Sequence, residues 1–255
     1  MLATQHSPKL DRYSIEETWT RVARNVGGSL VSDLLPRWTD LPKNADFVFP
    51  DYKVIAELKR LEHDSHLDRE IPRKINELYR RWVYEGKVVP IYGTVSINLR
   101  TLPIDCAEEV ISLYRNPIKR RIRKANEQIK STKSLLGMED ALGLLIFVHD
   151  GDYSLTQEMV LALVYRCLRR GDFKGIDSLT YVNMDMKAVI PGTPTDYKLF
   201  LHTCRDPARQ VPSELVESLQ NSWYSEIQAR FGFSLPRVVV KDPARFIDRF
   251  RYVRT

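Results

Sequence analysis

The run LGLLIFVHD, from Leu142 to Asp150, is apolar almost without interruption. Its continuity reads as a strand covered on both faces. Such a strand belongs to a layered sheet with helices on either side. The flanking pattern agrees. Asp105 to Leu136 has helical spacing and divides into two predicted helices at Asn116-Pro117, because proline cannot donate the hydrogen bond a helix interior needs. Ser154 to Arg170 reads as an amphipathic helix with Met159, Leu161, Leu163, Val164 and Leu168 inward, and Ser178 to Met186 as another strand. The expected fold class is α/β, a mixed central sheet flanked by helices.

Upstream, Ser14-Ile15-Glu16-Glu17 has capping-box spacing and opens a helix whose apolar side is Trp19, Val22, Ala23 and Val26; Gly27-Gly28 ends it. ADFVFPDYKVIAELKR, residues 45–60, reads as strand, turn and strand. A charged helix follows from Leu67 to Tyr84, and VVPIYGTVSINL, Val88 to Leu99, reads as extended. YKLFLH and RVVVK add two strands and Pro243 to Tyr252 a last short helix. Trp223, Tyr224, Phe231, Phe233, Phe246, Phe250 and Tyr252 read as a second core beside the sheet. No repeat or Gly/Ser linker divides the chain.

Composition narrows the setting. The chain has 255 residues and 43% apolar content, enough for a sizeable core. Cys106, Cys167 and Cys204 are far apart and odd in number, which argues against a disulfide framework or a cysteine zinc site. MLATQHSPKLDRY lacks the apolar stretch of a signal peptide and no run is long enough to span a bilayer, so a cytoplasmic protein without membrane partners is expected. A net charge of +6 favours a polyanionic partner.

The hairpin carries the chemistry. Asp46, Glu57 and Lys59 sit among Phe47, Val48, Phe49, Val54, Ile55 and Leu58. Closure over Pro50-Asp51-Tyr52-Lys53 pairs Phe49 with Val54, Val48 with Ile55, and Asp46 with Glu57. Directly paired residues point to one face with Cβ atoms roughly 4.5–5.5 Å apart, so two carboxylates there repel. A raised pKa or a cation must offset that. Lys59 follows Glu57 on the same face, roughly 6.5 Å along the strand. Two acids and an ammonium suit Mg²⁺, which takes one or two carboxylates together with substrate phosphate and water.

This constellation resembles the PD-(D/E)XK nuclease superfamily, whose pattern is an acid on one strand of a hairpin, then an acid, any residue and lysine on the next. Glu57-Leu58-Lys59 fits the second half and Asp46 the first. The family core of helix, strands, helix and strand would cover roughly Ser14 to Met186. The resemblance implies a restriction-endonuclease-like core, residues 1–190, with a helical insertion near 62–105 and a C-terminal extension, 191–255, packed on it. It implies that Asp46 and Glu57 ligate Mg²⁺ or Mn²⁺ with the Leu58 carbonyl, that Lys59 assists the attacking water, and that Glu16 or Glu17 on the first helix completes the site. Capping by Ser14 accounts for Glu17, which leaves Glu16. The literal Pro-Asp pair is Pro50-Asp51, but the strand from Asp51 to Glu57 spans roughly 20 Å, too far for one ion, so Asp46 is the expected ligand. Family members often act as dimers, so a homodimer is a further expectation.

In NPIKRRIRKANEQIKSTK, Ile118, Ile122, Ala125 and Ile129 form an inward stripe, while Lys119, Arg120, Arg121, Arg123, Lys124, Lys130 and Lys133 meet only Glu127. That imbalance suits phosphate contacts. Lys119, Arg120, Arg123, Lys124 and Gln128 are the candidate nucleic-acid-binding residues, with Lys124 and Gln128 toward the active face, as the resemblance implies. His63-Asp64-Ser65-His66 and His149-Asp150-Gly151-Asp152 read as polar connections, and His202, Cys204 and Asp206 lack a nucleophile-elbow context. The expected function is a metal-dependent nuclease acting on nucleic acid, chiefly DNA. The alternatives are a non-catalytic module of the same fold, binding nucleic acid or a protein, and a metabolic α/β enzyme.

Overall fold

The computed structural model describes residues 14–35, 43–62, 65–93, 99–150, 157–169, 171–183, 188–189, 196–197 and 199–231. RVVVK, the helix expected at Pro243 to Tyr252, and Phe233, Phe246, Phe250 and Tyr252 lie outside the described residues, as do His63 and Asp64. In chain order the elements are α1 (Ile15–Asn25), β1 (Ser29–Leu30), α2 (Val31–Leu34), β2 (Phe47–Phe49), β3 (Val54–Glu62), α3 (Ser65–Tyr84) and α4 (Ile104–Leu135). They continue with β4 (Leu142–Asp150), α5 (Gln157–Arg169), β5 (Ser178–Asn183), β6 (Ala188–Val189), β7 (Asp196–Tyr197), β8 (Phe200–Cys204) and α6 (Ser213–Phe231).

One six-stranded sheet has the order β1-β2-β3-β4-β5-β8, and β6 pairs with β7 apart from it. β3, β4 and β5 run parallel, and the other neighbours in the large sheet are antiparallel. The run that opened the sequence analysis is β4, buried along nearly its whole length between two parallel partners. The fold is α/β with a mixed sheet flanked by helices, as its pattern implies. No helix among the described residues is long and apolar enough to cross a membrane.

Two helical layers explain why β4 can be apolar on both sides. Ile55, Leu145, Phe147 and Leu179 face Ile118, Ile122 and Ile129 of α4 and Val160 and Val164 of α5. Val54, Ala56, Ile146 and Val148 face Trp19 and Val22 of α1 and Leu215, Leu219 and Trp223 of α6. α6 is absent from the sequence expectation, although Leu215, Leu219, Trp223 and Ile227 recur at the helical spacing of four. Trp223 and Tyr224 do belong to a core beside the sheet.

Two expectations are corrected. α4 is one continuous helix through Pro117. Val110, Ile111, Ile118 and Ile122 are all buried on its inner stripe, on both sides of the proline. Burial of that stripe outweighs the roughly 3 kcal/mol a mid-helix proline costs. Residues 88–93 form no strand either. Val89, Ile91 and Tyr92 are exposed there, so no facing layer rewards extension.

Candidate active site

The β2–β3 hairpin closes through a single turn at Pro50–Tyr52, with Lys53 in the left-handed region at φ 50°. Its register is Phe49 with Val54, Val48 with Ile55 and Phe47 with Ala56. The next pair in that register is Asp46 with Glu57, and there the ladder stops. Asp46 leaves the strand and its Oδ2 accepts a hydrogen bond from the Leu58 backbone N–H at 2.8 Å. Its carbonyl accepts from the Val31 N–H at 3.0 Å. The carboxylate thus replaces a strand partner for β3 just where the strands separate. Asp51 is exposed in the turn.

Glu57 is 1% exposed and points to the α4 face of the sheet, where Ile55 also packs. Its Oε1 pairs with Lys59 Nζ, whereas its buried Oε2 has no hydrogen-bond donor. Lys59 Nζ also donates to Gln128 Oε1 on α4 at 2.8 Å. Gln128 in turn donates to the Asn44 carbonyl at 2.8 Å, and Ala45 N–H donates to Thr132 Oγ1 at 2.8 Å. Gln128 and Thr132 are one turn apart, so α4 holds the chain on both sides of the peptide that leads into Asp46.

Electrostatics follow from this burial. Burial, then the charge of Asp46, pushes Glu57 up to about 8 against the pull of Lys59. Asp46 is raised as well, chiefly by burial, although the Leu58 N–H and Lys59 oppose the shift. A proton on Glu57 donated to Asp46 relieves the repulsion between the two acids. A divalent cation would do the same. The donor set fits one: two carboxyls from adjacent strands, one oxygen of which lacks a donor, beside the Leu58 peptide.

Glu16 stands at the start of α1, where its Oε2 accepts from Ser14 Oγ at 2.8 Å. Partial burial would raise its carboxyl, but its own backbone N–H, Ser14 and Arg60 together hold it below the ordinary value. Its charge reaches Asp46. Among the described residues, however, no group of three His, Cys, Asp or Glu side chains is gathered, so Glu16 does not join Asp46 and Glu57 in one cluster. Ser14 Oγ caps the Glu17 N–H at 3.3 Å.

On α4, Arg120, Arg123 and Lys124 are exposed on the outer side. Lys119 is half-buried and lies 3.9 Å from Asp172. Two cations of the basic segment turn inward instead: Arg121 donates to the Arg60 carbonyl at 3.2 Å, and Lys133 lies 3.7 Å from buried Asp177. These two are structural contacts, since α4 is too deeply seated to leave all its cations in solvent. Asp150 accepts from Arg60 Nε at 2.6 Å, and His149 is buried with its Nδ1 2.9 Å from the Tyr181 hydroxyl. His202 Nδ1 is 3.0 Å from Thr180 Oγ1, and Cys204 Sγ faces Gln210, so no hydrolase set forms there. Asn44 and Thr132 went unnoticed in the sequence. Thr132, one turn beyond Gln128, was the only available signal. Comparisons with known protein families, curated proteins and solved structures found no match.

Proposed function

We propose that the protein is a metal-dependent nuclease of the PD-(D/E)XK type, hydrolysing phosphodiester bonds of nucleic acid, with DNA the expected substrate. The observation that carries this reading is buried Glu57, whose Oε1 pairs with Lys59 and whose Oε2 accepts no hydrogen bond, beside the carboxyl of Asp46. Burying two acids together is costly, and a stable fold has no use for the arrangement unless a cation or a proton is meant to join it. The connectivity supports the same reading. A helix, three antiparallel strands, a helix and a parallel strand follow in order from α1 through β4, as in the family core, with the one-turn α2 between β1 and β2 and α3 inserted after β3.

Asp46, Glu57 and the Leu58 carbonyl would hold Mg²⁺ or Mn²⁺. When bound, the ion supplies Lewis-acid stabilisation of charge at phosphorus and at the leaving oxygen. Lys59 keeps an ammonium beside the carboxylates, where it can orient water for in-line attack or neutralise a phosphoryl oxygen. Gln128 accepts one of the Lys59 protons and so fixes where the ammonium points. Arg120, Arg123 and Lys124 present cations on the solvent side of the same helix, with Lys119 at its edge, as backbone phosphates require.

The test is incubation of the full chain with plasmid, linear and single-stranded DNA and with RNA, in Mg²⁺, Mn²⁺ or EDTA. Cleavage is expected with either metal and not with EDTA. Cleavage that persists in both Glu57→Ala and Lys59→Ala rejects this active site.

A further inference from the structure

Two hollows flank α5. In the first, Arg115 and Arg166 lie 3.9 and 4.0 Å from Glu108, and Lys119 lies 3.9 Å from Asp172. Those cations are matched by acids. The second hollow, about 110 Å³, opens between α5 and the end of β8, lined by Tyr165, Arg169, Thr203, Cys204, Arg205 and Asp177 among others.

There the charges do not cancel. Arg169 lies over the Tyr165 ring, 5.7 Å from its centroid, and Arg205 Nη1 donates to the Phe173 carbonyl at 3.1 Å. Among the described residues neither guanidinium has a carboxylate within ion-pair distance. Asp177, the acid in the lining, is already engaged. Its Oδ1 accepts from Arg209 Nε at 2.7 Å, its Oδ2 from the Gly143 N–H at 2.8 Å, and Lys133 is 3.7 Å away. Asp177 is thus taken up by Arg209 and Lys133 and is not within ion-pair distance of Arg169 or Arg205.

We infer that this hollow is a binding site for a phosphate-sized oxyanion, held by Arg169 and Arg205 with the Thr203 hydroxyl as a further donor. Guanidinium groups present planar N–H forks that match phosphate oxygens, and stacking on Tyr165 leaves the Arg169 N–H edges free. The volume is well below the roughly 300–1,000 Å³ of pockets for drug-sized molecules, so the occupant is a single phosphate group rather than a nucleotide. Its source is either free inorganic phosphate or one phosphate of a nucleic-acid chain. The ladder pairs Glu57 with Leu145, Leu145 with Leu179 and Leu179 with Thr203. Three strand spacings, roughly 14 Å, thus separate the hollow from Glu57, and the inference stands apart from the nuclease reading.

The experiment follows hydrogen–deuterium exchange of the segments that carry Arg169 and Thr203 to Arg205 in the full chain, by peptide mass spectrometry, at constant ionic strength with chloride as the reference. The probes are inorganic phosphate and a single-stranded DNA oligonucleotide without terminal phosphates. Saturable protection is expected, with binding weakened roughly tenfold or more in Arg169→Gln and in Arg205→Gln. Protection by inorganic phosphate identifies a free anion. Protection by the oligonucleotide where equal phosphate gives none identifies a backbone phosphate. Labelling that neither probe slows, or that both slow equally in wild type and Arg169→Gln, overturns the inference. Arg169 is exposed, so its variant is the deciding one, with circular dichroism to verify the fold. Protection that persists in Glu57→Gln separates this site from the catalytic one.

Discussion

The carboxylate of Asp46 accepts a hydrogen bond from the backbone N–H of Leu58, 2.8 Å away, one residue past Glu57 on the neighbouring strand. That bond places Asp46, and not Asp51, beside the strand that carries Glu57. Asp46→Asn keeps an oxygen acceptor for Leu58 yet removes the charge that a cation needs. It is expected to lower cleavage by about 100-fold or more while the protein stays folded. Asp51→Asn, in the exposed turn, should leave the rate unchanged. Initial rates on plasmid DNA with Mg²⁺ compare the two, and a loss confined to Asp51→Asn would reverse the assignment.

Gln128 and Thr132 predict a graded effect. Gln128 links Lys59 to the Asn44 carbonyl, and Thr132 holds the Ala45 N–H. Gln128→Leu leaves the Asn44 carbonyl without this bond and Lys59 with Glu57 alone, and should cost about 1–2 kcal/mol in urea unfolding. Thr132→Val should cost about as much through the buried Ala45 N–H. Only Gln128→Leu removes a contact of Lys59, so it should reduce turnover further than Thr132→Val at equal stability. Equal turnover in the two variants would deny Gln128 any part in positioning the ammonium.

The hairpin register and the twice-covered β4 were legible because side-chain period and chain reversal are local properties. The Phe49–Val54 pairing follows from the turn alone, and it carries the ladder as far as Phe47 and Ala56, one step short of the expected Asp46–Glu57 pair. What escaped is decided by distant packing. Pro117 breaks no helix because residues on both sides of it meet the sheet. Val88 to Leu99 looks extended, yet residues 89–93 are exposed. Lys133 looks like one more surface cation, whereas Asp177, far along the chain, draws it inside. Asn44 acts through its carbonyl, which every residue has, so its side chain gave no signal.

Gly143 tests the contact between the start of β4 and the turn before β5. A methyl group there would overlap the Gly175 carbonyl oxygen, while Asp177 N–H donates to the Gly143 carbonyl at 2.8 Å. Both crossings are backbone, so neither can swing aside. Gly143→Ala should destabilise by about 3 kcal/mol. Gly137, at φ 62° with open space around its Cα, is the control: Gly137→Ala should cost only about 1–2 kcal/mol through backbone strain. Urea midpoints for both variants decide between overlap and strain.

Glu57 makes stability depend on pH. Burial, then Asp46, holds its folded value at about 8, against roughly 4.3 for an unfolded glutamate. Between those values the folded state keeps a proton that the unfolded chain has released. The stabilising contribution is therefore complete below about pH 4.3, declines as the pH rises, and is lost above about pH 8. Urea unfolding from pH 5 to pH 9 should show that decline in wild type and a flatter profile in Glu57→Gln, which carries no titrating proton at this position. On the proposed reading Mg²⁺ should then restore stability at the alkaline end, since it would bind the ionised pair in the folded state alone. It should do nothing for Glu57→Gln. Parallel profiles for the two proteins would mean that Glu57 is already ionised at pH 5, with Lys59 its sufficient partner.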